Sequence, residues 1–348
     1  MQKKEIKKSF KQLVKDHKAA AIVVIIIIIA GGSFGTYFLI DYLNAKNPER
    51  ITLATTTSTY DSGLLDYLLP YFTDLTGIQI RVLSVGTGAA IQYGKDGNVD
   101  IILVHARPRE NDFVNSSLGV NGLPYGINRA CVMYNDFILV GHESNPANLQ
   151  FGDNITTVMT KLRDDIDVGN MTFYSRGDKS GTDSKEKALW SLIGVDPETR
   201  WANQPDKYSE TGQGMGETLL LTYEDADPAS EGYTLIDRGT WLSFNDTYTS
   251  LKILAQSIPG EDYLLNPYGV IPVNPILYPH VKYVSACRLA GFLTSPYGQA
   301  LINAYTKNGA ILFHSDFGSC NVTTNCPTTA NEVTIWTPFQ AEFTGLTI

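Results

Sequence analysis

Charged side chains, cysteines and catalytic motifs are scarce in this sequence. Of its 348 residues, only 18% are charged and four are cysteine. The five histidines are scattered, and the common zinc-protease motif H-E-x-x-H is absent from the sequence. No internal repeat with a period of about 20–50 residues is visible, so a solenoid or propeller is not expected. With 43% hydrophobic residues, the chain has the composition of a folded protein.

Basic residues are also scarce beyond residue 50. Nine of the 27 Lys and Arg residues stand in residues 1–50, which leaves 18 basic against 32 acidic residues in the remainder. An acidic surface disfavours nucleic acid as a partner, because the phosphate backbone requires positive charge. Any anion site in this chain must therefore create its attraction locally.

One long apolar run stands near the N-terminus. Residues 19–40 carry no charge and follow the lysine-rich residues 1–18. As a helix, this run would span about 33 Å, enough to cross a bilayer. The lysines predict that residues 1–18 are cytoplasmic. We expect an uncleaved signal anchor, a linker over 41–50 and an extracellular remainder, with cleaved export as the alternative.

Sequons and cysteines agree with an extracellular location. Five Asn-x-Ser/Thr sequons suggest glycosylation, at Asn115, Asn154, Asn170, Asn245 and Asn321. An even number of cysteines outside the cell suggests disulfides. Cys320 and Cys326 bracket a polar loop and are expected to pair, which leaves Cys131 for Cys287. No cysteine spacing fits a metal site, and we expect neither a cation nor a cofactor.

Strand and helix patterns alternate along the chain from residue 51. The strand patterns ITLATTT, IQIRVLSV and VDIILVHA are separated by helical patterns, and the alternation restarts at MTFYS. This rhythm predicts an α/β protein with a parallel sheet. Extended segments at 131–141 and 264–275 suit crossings between two lobes. We predict one lobe over 51–134 and 272–348, and the other over 135–271.

Three segments join a strand to a helix through small polar residues: TTTSTYDSG, VGTGAA and SRGDKSGTDS. A helix N-terminus offers unpaired N–H groups and a partial positive charge. Hydroxyls add neutral donors, and glycine lets the backbone approach closely. Each segment alone is more typical of a helix cap, a tight turn or a surface arginine. Together they predict an oxyanion site, in which Arg176 supplies a permanent charge and a planar fork of donors.

The number of acceptors at such a site would decide which anion it takes. Tungstate, molybdate and sulfate are fully deprotonated at neutral pH and need donors only. Monohydrogen phosphate carries a proton and needs an acceptor carboxylate. We interpret Asp61, Asp178 and Asp183 as helix caps or as groups that orient Arg176. The spacing of these residues does not settle the anion.

The segments TTTSTYDSG, VGTGAA and SRGDKSGTDS, in their order along the chain, resemble those of the TupA-type tungstate-binding proteins. These proteins are the substrate-binding components of tungstate ABC importers. The resemblance covers roughly residues 51–315 and includes four further segments, YNDFILVG, GMGETL, YTLIDRGTWL and LLNPYGVIPVNP. It implies a type II periplasmic-binding-protein fold with two α/β lobes. It also implies a protein that captures tungstate, or molybdate, and delivers it to the permease and ATPase subunits of an importer. The N-terminal anchor predicted above departs from the family pattern.

The resemblance also implies the residues that bind the anion. They are Thr56, Thr57, Ser58, Thr87, Gly88, Arg176, Ser180 and Thr182. The spacing R-x-x-x-S-G-T also resembles phosphate-binding proteins of the same superfamily, which keeps phosphate as an alternative ligand. An exported hydrolase and a structural surface glycoprotein are weaker alternatives. The Thr-rich tail over 318–348 is longer than the family pattern, and the sequence assigns it no role.

Overall fold

The computed structural model of the chain describes residues 48–225, 231–318 and 330–348. The predicted membrane span over 19–40, the sequon at Asn321 and the predicted Cys320–Cys326 disulfide all lie outside these ranges. None of the helices within them has the length and apolar character that a bilayer crossing requires.

The described strands are β1 (Arg50–Thr56), β2 (Gln79–Val85), β3 (Ile101–Val104), β4 (Ala130–His142), β5 (Met171–Ser175), β6 (Tyr208–Glu210), β7 (Glu231–Asp237), β8 (Leu251–Ala255), β9 (Leu265–Pro272), β10 (Thr306–Lys307), β11 (Ala310–Ile311) and β12 (His314–Ser315). The described α-helices are α1 (Thr57–Asp61), α2 (Leu64–Thr76), α3 (Thr87–Lys95), α4 (Arg107–Phe113), α5 (Ile155–Val168), α6 (Gly181–Leu192), α7 (Pro197–Arg200), α8 (Met215–Glu224), α9 (Arg238–Phe244), α10 (Tyr283–Thr294), α11 (Pro296–Ala304) and α12 (Ala330–Gln340). Short 3₁₀ turns occupy Ser116–Leu118 and Ala341–Phe343.

Local sequence explains where several of these elements begin and end. Strand β3 reads IILV and is buried at every position, as expected for a strand covered on both faces. Helix α2 ends where Gly77 adopts a φ of 73°, a left-handed conformation that glycine enters without penalty. The segment RGTWLSF forms α9, whose first turn is capped by the Asp237 side chain, which accepts from the Thr240 amide at 2.9 Å.

The main sheet is mixed rather than parallel. Its strand order is β2-β1-β3-β9-β4-β7-β5-β6, with β8 and β12 also paired to β4. Strand β1 runs parallel to β3, and β5 runs parallel to β6 and β7. Strand β9, however, is antiparallel to both β3 and β4, and β4 is antiparallel to β7. The expectation of a parallel sheet is therefore confirmed for these parallel pairs and wrong at the centre of the sheet.

Strand β4 connects the two halves of the sheet. Its first part, up to Asp136, pairs with β9, and its second part, from Phe137, pairs with β7. The two extended crossings predicted at 131–141 and 264–275 thus form as β4 and β9. The predicted lobe boundaries stay a prediction.

Apolar side chains form three buried clusters. The largest joins β1, β3, β4 and α2 to α10, α11 and α12. A second surrounds β5 and α5, and a third lies between α3, β3 and β9. Helix α12 contributes Trp336, and the following turn contributes Phe343, both almost fully buried. The C-terminal segment therefore contributes these two aromatic side chains to the main core.

The predicted disulfide between Cys131 and Cys287 is wrong. Both residues are buried thiols that are not joined to each other. The Cys131 thiol, on β4, donates to Asp316 Oδ2 at 3.4 Å. The Cys287 thiol, on α10, interacts with Tyr283 one turn earlier. Because each thiol faces its own partner, counting cysteines could not identify this arrangement.

Candidate functional site

Several strand-to-helix junctions lie at the carboxyl ends of strands in this sheet, and four of them bear on the candidate site. They are the β1–α1, β2–α3, β5–α6 and β7–α9 connections. The first three are the loops singled out in the sequence, and the fourth carries the DRGTW segment. Helix N-termini at such junctions present backbone N–H groups to anions.

Arg176 lies where these junctions meet. It immediately follows β5, and its side chain is only 15% exposed. Its Nε lies 2.9 Å from Asp178 Oδ2, but the N–H bond is not directed at that oxygen, so the contact is an ion pair without a hydrogen bond. The buried Nε is therefore a donor whose hydrogen bond is not made within the described residues.

Arg176 separates two cavities. The Thr57 cavity, of about 400 Å³, combines Arg176 with groups from α1, the α8 N-terminus and α9. Its lining includes Thr57, Ser58, Asp61, Gly214, Glu217, Thr240 and Lys307. This places three of the family-type segments, TTTS, GMGE and DRGT, around one space.

The Gly88 cavity, which Arg176 also lines, measures about 630 Å³. The GTG loop and the SRGDKS loop form it together. Its lining includes Thr87, Gly88, Lys95, Arg109, Asp178, Lys179 and Ser180. The three loops thus converge on one arginine, although its two sides face different spaces.

Six of the eight predicted anion-binding residues line a cavity, and two do not. Thr57 and Ser58 line one cavity, Thr87, Gly88 and Ser180 line the other, and Arg176 lines both. Thr56 and Thr182 line neither cavity and are only 3% and 4% exposed. The Thr56 hydroxyl accepts from the Thr59 amide at 3.3 Å, which is a helix-capping contact. The contact of each residue with an anion stays a prediction.

Ser180 and the neighbouring carboxylates build the loop that carries Arg176. Ser180 Oγ accepts from the Asp183 amide at 3.3 Å and so caps α6. Asp178 Oδ1 accepts from the Ser180 amide, and Asp183 Oδ2 accepts from the Lys179 amide, both at 3.0 Å. The interpretation of Asp178 and Asp183 as capping and orienting groups is confirmed.

Sequence reasoning missed most of the positive charge at these cavities. It singled out Arg176, whereas the structure adds Lys95, Arg109 and Lys179 to the Gly88 cavity. It also adds Lys307, from the β10–β11 hairpin, to the Thr57 cavity. Lys179 stands within a quoted loop and could have been noticed. Nothing local to Lys307 indicates where it lies.

His105 is a neutral neighbour of the site. Burial lowers its pKa to about 4, and the nearby charges of Arg176 and Lys185 act in the same direction. Its Nδ1 lies 3.0 Å from Asn266 Oδ1, whose amide nitrogen donates to Asn135 Oδ1 at 2.8 Å. With the amide in this orientation, Nδ1 carries the hydrogen. His105 therefore adds no charge to the site at neutral pH.

Several comparisons with known proteins agree on one family. Residues 44–300 match the PBP superfamily domain. The chain is 44% identical over 266 residues to a Haloferax volcanii protein named as a candidate anion-binding protein of an ABC transporter, covering 76% of this chain and 71% of that protein. It is 42% identical over 267 residues to the tungstate-binding protein TupA of Peptoclostridium acidaminophilum, covering 76% and 84%.

A solved structure gives the same result. The tungstate-binding protein TupA from Desulfovibrio alaskensis superposes with a TM-score of 0.66 at 37% identity. The match covers 77% of this chain and 99% of that structure. The family assignment follows from these relatives, and the mixed α/β architecture and the strand-end loops around Arg176 agree with it. The chain belongs to the TupA-type tungstate-binding proteins of the periplasmic-binding-protein superfamily.

Proposed function

We propose that this protein is an extracellular solute-binding protein that captures tungstate between the loops around Arg176 and delivers it to an ABC importer. Molybdate, a tetrahedral dianion of the same shape, belongs to the same ligand class. The transported oxyanion is the cargo of this protein and not a cofactor. The permease and ATPase subunits of the importer are the protein partners.

One observation carries the proposal: hydroxyls, glycines and helix N-termini from separate junctions surround a single, poorly exposed arginine. Hydrogen bonds to a charged group are stronger than neutral ones, at about 1.5–3 kcal/mol each. A guanidinium with an unsatisfied Nε provides the charge and further donors. Such an arrangement suits a fully deprotonated tetrahedral oxyanion.

Phosphate is the second candidate because carboxylates also line the Thr57 cavity. Asp61 and Glu217 both contribute to its lining. A carboxylate there can accept the proton of monohydrogen phosphate, which a donor-only site cannot do. Both carboxylates are exposed to solvent, so a fixed acceptor geometry is not built around them.

Calorimetric titration with tungstate, molybdate, phosphate and sulfate tests the proposal. We expect tight binding of tungstate, equal or weaker binding of molybdate, and far weaker binding of phosphate and sulfate. The protein for this test is the chain from residue 45 onward, which contains every described residue. Tight phosphate binding with no response to tungstate would reject tungstate as the cargo.

Attachment to the outer face of the membrane and glycosylation belong to the same proposal. The uncharged run over 19–40, preceded by lysines, supports a retained anchor. Among the sequons, Asn115 and Asn154 are exposed and accept hydrogen bonds through Oδ1, which leaves their amide nitrogens accessible for a glycan. The side-chain amide nitrogen of Asn170 donates to Asp165, and Asn245 is partly buried, so both are less suitable sites for attachment of a glycan.

A further inference from the structure

We infer that Lys307 is a second cation of the anion site and makes it prefer dianions over monoanions of the same shape. Lys307 lies beyond residues 44–300, which match the superfamily domain, and no sequence pattern around it indicates a role. The inference rests on the proposed function, because it assigns a role within the same cavity.

Lys307 shares its cavity with the predicted anion ligands. It lines the Thr57 cavity together with Thr57, Ser58 and Arg176. Its ammonium donates to the Asp61 carbonyl at 3.0 Å, and no carboxylate of the described residues forms an ion pair with it. Its charge is therefore not neutralised by a direct partner.

A short hairpin holds Lys307 in this position. Strands β10 and β11 are joined by Asn308 and Gly309, both with positive φ, as a tight two-residue turn requires. The Asn308 amide donates to the Leu242 carbonyl of α9 at 2.5 Å. Just before the hairpin, the Tyr305 hydroxyl donates to the Ser62 carbonyl at 2.5 Å. These contacts hold the hairpin against both α9 and the end of α1.

The charge balance of the cavity gives Lys307 its importance. Arg176 and Lys307 line the cavity with two exposed carboxylates, Asp61 and Glu217. The buried Asp237 carboxylate and Asp61 also attract the Lys307 charge. The two cations are partly buried and so are less screened by water. Without Lys307, Arg176 alone would remain against these carboxylates, and the attraction of the lining for a dianion would fall.

Coulomb attraction to a single cation doubles when the ligand charge goes from one to two. A lysine that faces the anion therefore contributes more to binding tungstate than to binding perrhenate, a tetrahedral oxyanion with one negative charge. Hydrogen-bond donors of the loops distinguish these two anions less. Loss of the lysine charge should accordingly reduce the preference for the dianion.

The test measures tungstate and perrhenate affinities for the parent, Lys307→Met and Lys307→Arg. We expect Lys307→Met to weaken tungstate binding by about tenfold or more and perrhenate binding by much less, since a unit charge acts on two charges in one case and one in the other. Lys307→Arg should retain most of the preference. Lys252→Met is the matched control, because Lys252 also donates to a backbone carbonyl, that of Thr249 at 2.8 Å, but its side chain is exposed.

Melting curves without anion separate a structural role from a binding role. If Lys307 only caps the end of α1, Lys307→Met lowers the melting temperature and leaves both affinities unchanged, which overturns the inference. Equal weakening for tungstate and perrhenate also overturns it. A parent protein that binds no tungstate would reject the proposed function itself, whereas a parent that binds and a variant that binds equally well would reject only the role of Lys307.

Discussion

The guanidinium of Arg176 is the residue on which the candidate site depends. It is largely buried, it touches both cavities, and its nearest partner is Asp178, in its own loop. A charge in this position requires a counter-ion, because leaving a poorly hydrated charge unpaired is costly. Asp178 partly neutralises the Arg176 charge but does not accept a hydrogen bond from Nε. That donor therefore stays available to an external anion.

Replacing Arg176 by alanine should weaken tungstate binding by at least about tenfold, since about 1.4 kcal/mol corresponds to one decade in affinity. Arg176→Lys should recover only part of the affinity, because a point charge cannot reproduce the planar fork. Thr57→Ala and Ser58→Ala should each cost about 0.5–1.5 kcal/mol, the typical contribution of a neutral hydrogen bond. Calorimetry on each variant measures these differences.

The matching control is stability. Arg176 belongs to none of the apolar clusters, so the unfolding transition of Arg176→Ala should stay close to that of the parent. A folded Arg176→Ala variant that binds tungstate as well as the parent would show that the site lies elsewhere.

At the scale of elements, Glu186 joins β5, β6 and α6 directly beneath the Arg176 loop. It accepts from the Ser175 hydroxyl at 2.5 Å, the Tyr208 hydroxyl at 2.7 Å and the Trp190 indole at 3.1 Å. Burial raises the pKa of Glu186 from 4.5 to about 7, and these three hydrogen bonds only partly oppose that shift. The carboxyl group therefore stays protonated in the folded protein at pH values where it ionises in the unfolded chain.

The raised pKa predicts a loss of stability as pH rises. Between pH 4.5 and about 7 the folded state retains a proton that the unfolded state releases, so the free energy of unfolding falls, by roughly 3 kcal/mol in total. Glu186→Gln cannot ionise and should gain stability relative to the parent over this interval. Urea unfolding at several pH values measures the difference. Glu143→Gln, at an exposed position, is the control, and parallel curves for parent and Glu186→Gln would contradict the prediction.

The elements that the sequence predicted well are those whose signals are local. The small polar residues of TTTSTYDSG and SRGDKSGTDS mark helix boundaries within a few residues, and both segments were predicted to join a strand to a helix. Strand direction was predicted correctly for β1 and β3 but not for β9, because a buried apolar strand has the same pattern in parallel and antiparallel sheets. Lys307 was missed for a related reason: the β10–β11 hairpin reaches α1 and α9 only through tertiary contacts, which no local pattern encodes.

At the scale of the whole molecule, positive charge is concentrated at the site. Of the 18 basic residues beyond residue 50, five line the two cavities, namely Lys95, Arg109, Arg176, Lys179 and Lys307. The acidic remainder repels anions at long range. At physiological salt the screening length is about 8 Å, so the attraction of these cations acts only close to the cavities.

Topology gives the prediction at this scale. If residues 19–40 remain as an anchor, N-terminal sequencing of the native, membrane-associated protein should give a start before residue 19. High salt should not release the protein from membranes, whereas detergent should, because the attachment is apolar. A mature N-terminus after residue 40 would identify the segment as a cleaved signal peptide.

The rates at which the two buried thiols react with a labelling reagent would report local opening of the fold. Cys131 lies on the strand that links the halves of the sheet, and Cys287 lies on a core helix, where burial raises the pKa of its thiol to about 11. A thiol reagent can modify either residue only after its surroundings have opened. Peptide mapping after timed labelling would therefore give separate exposure rates for the linking strand and for the helix. Repeating the labelling with bound anion would show which of the two elements the anion protects from opening.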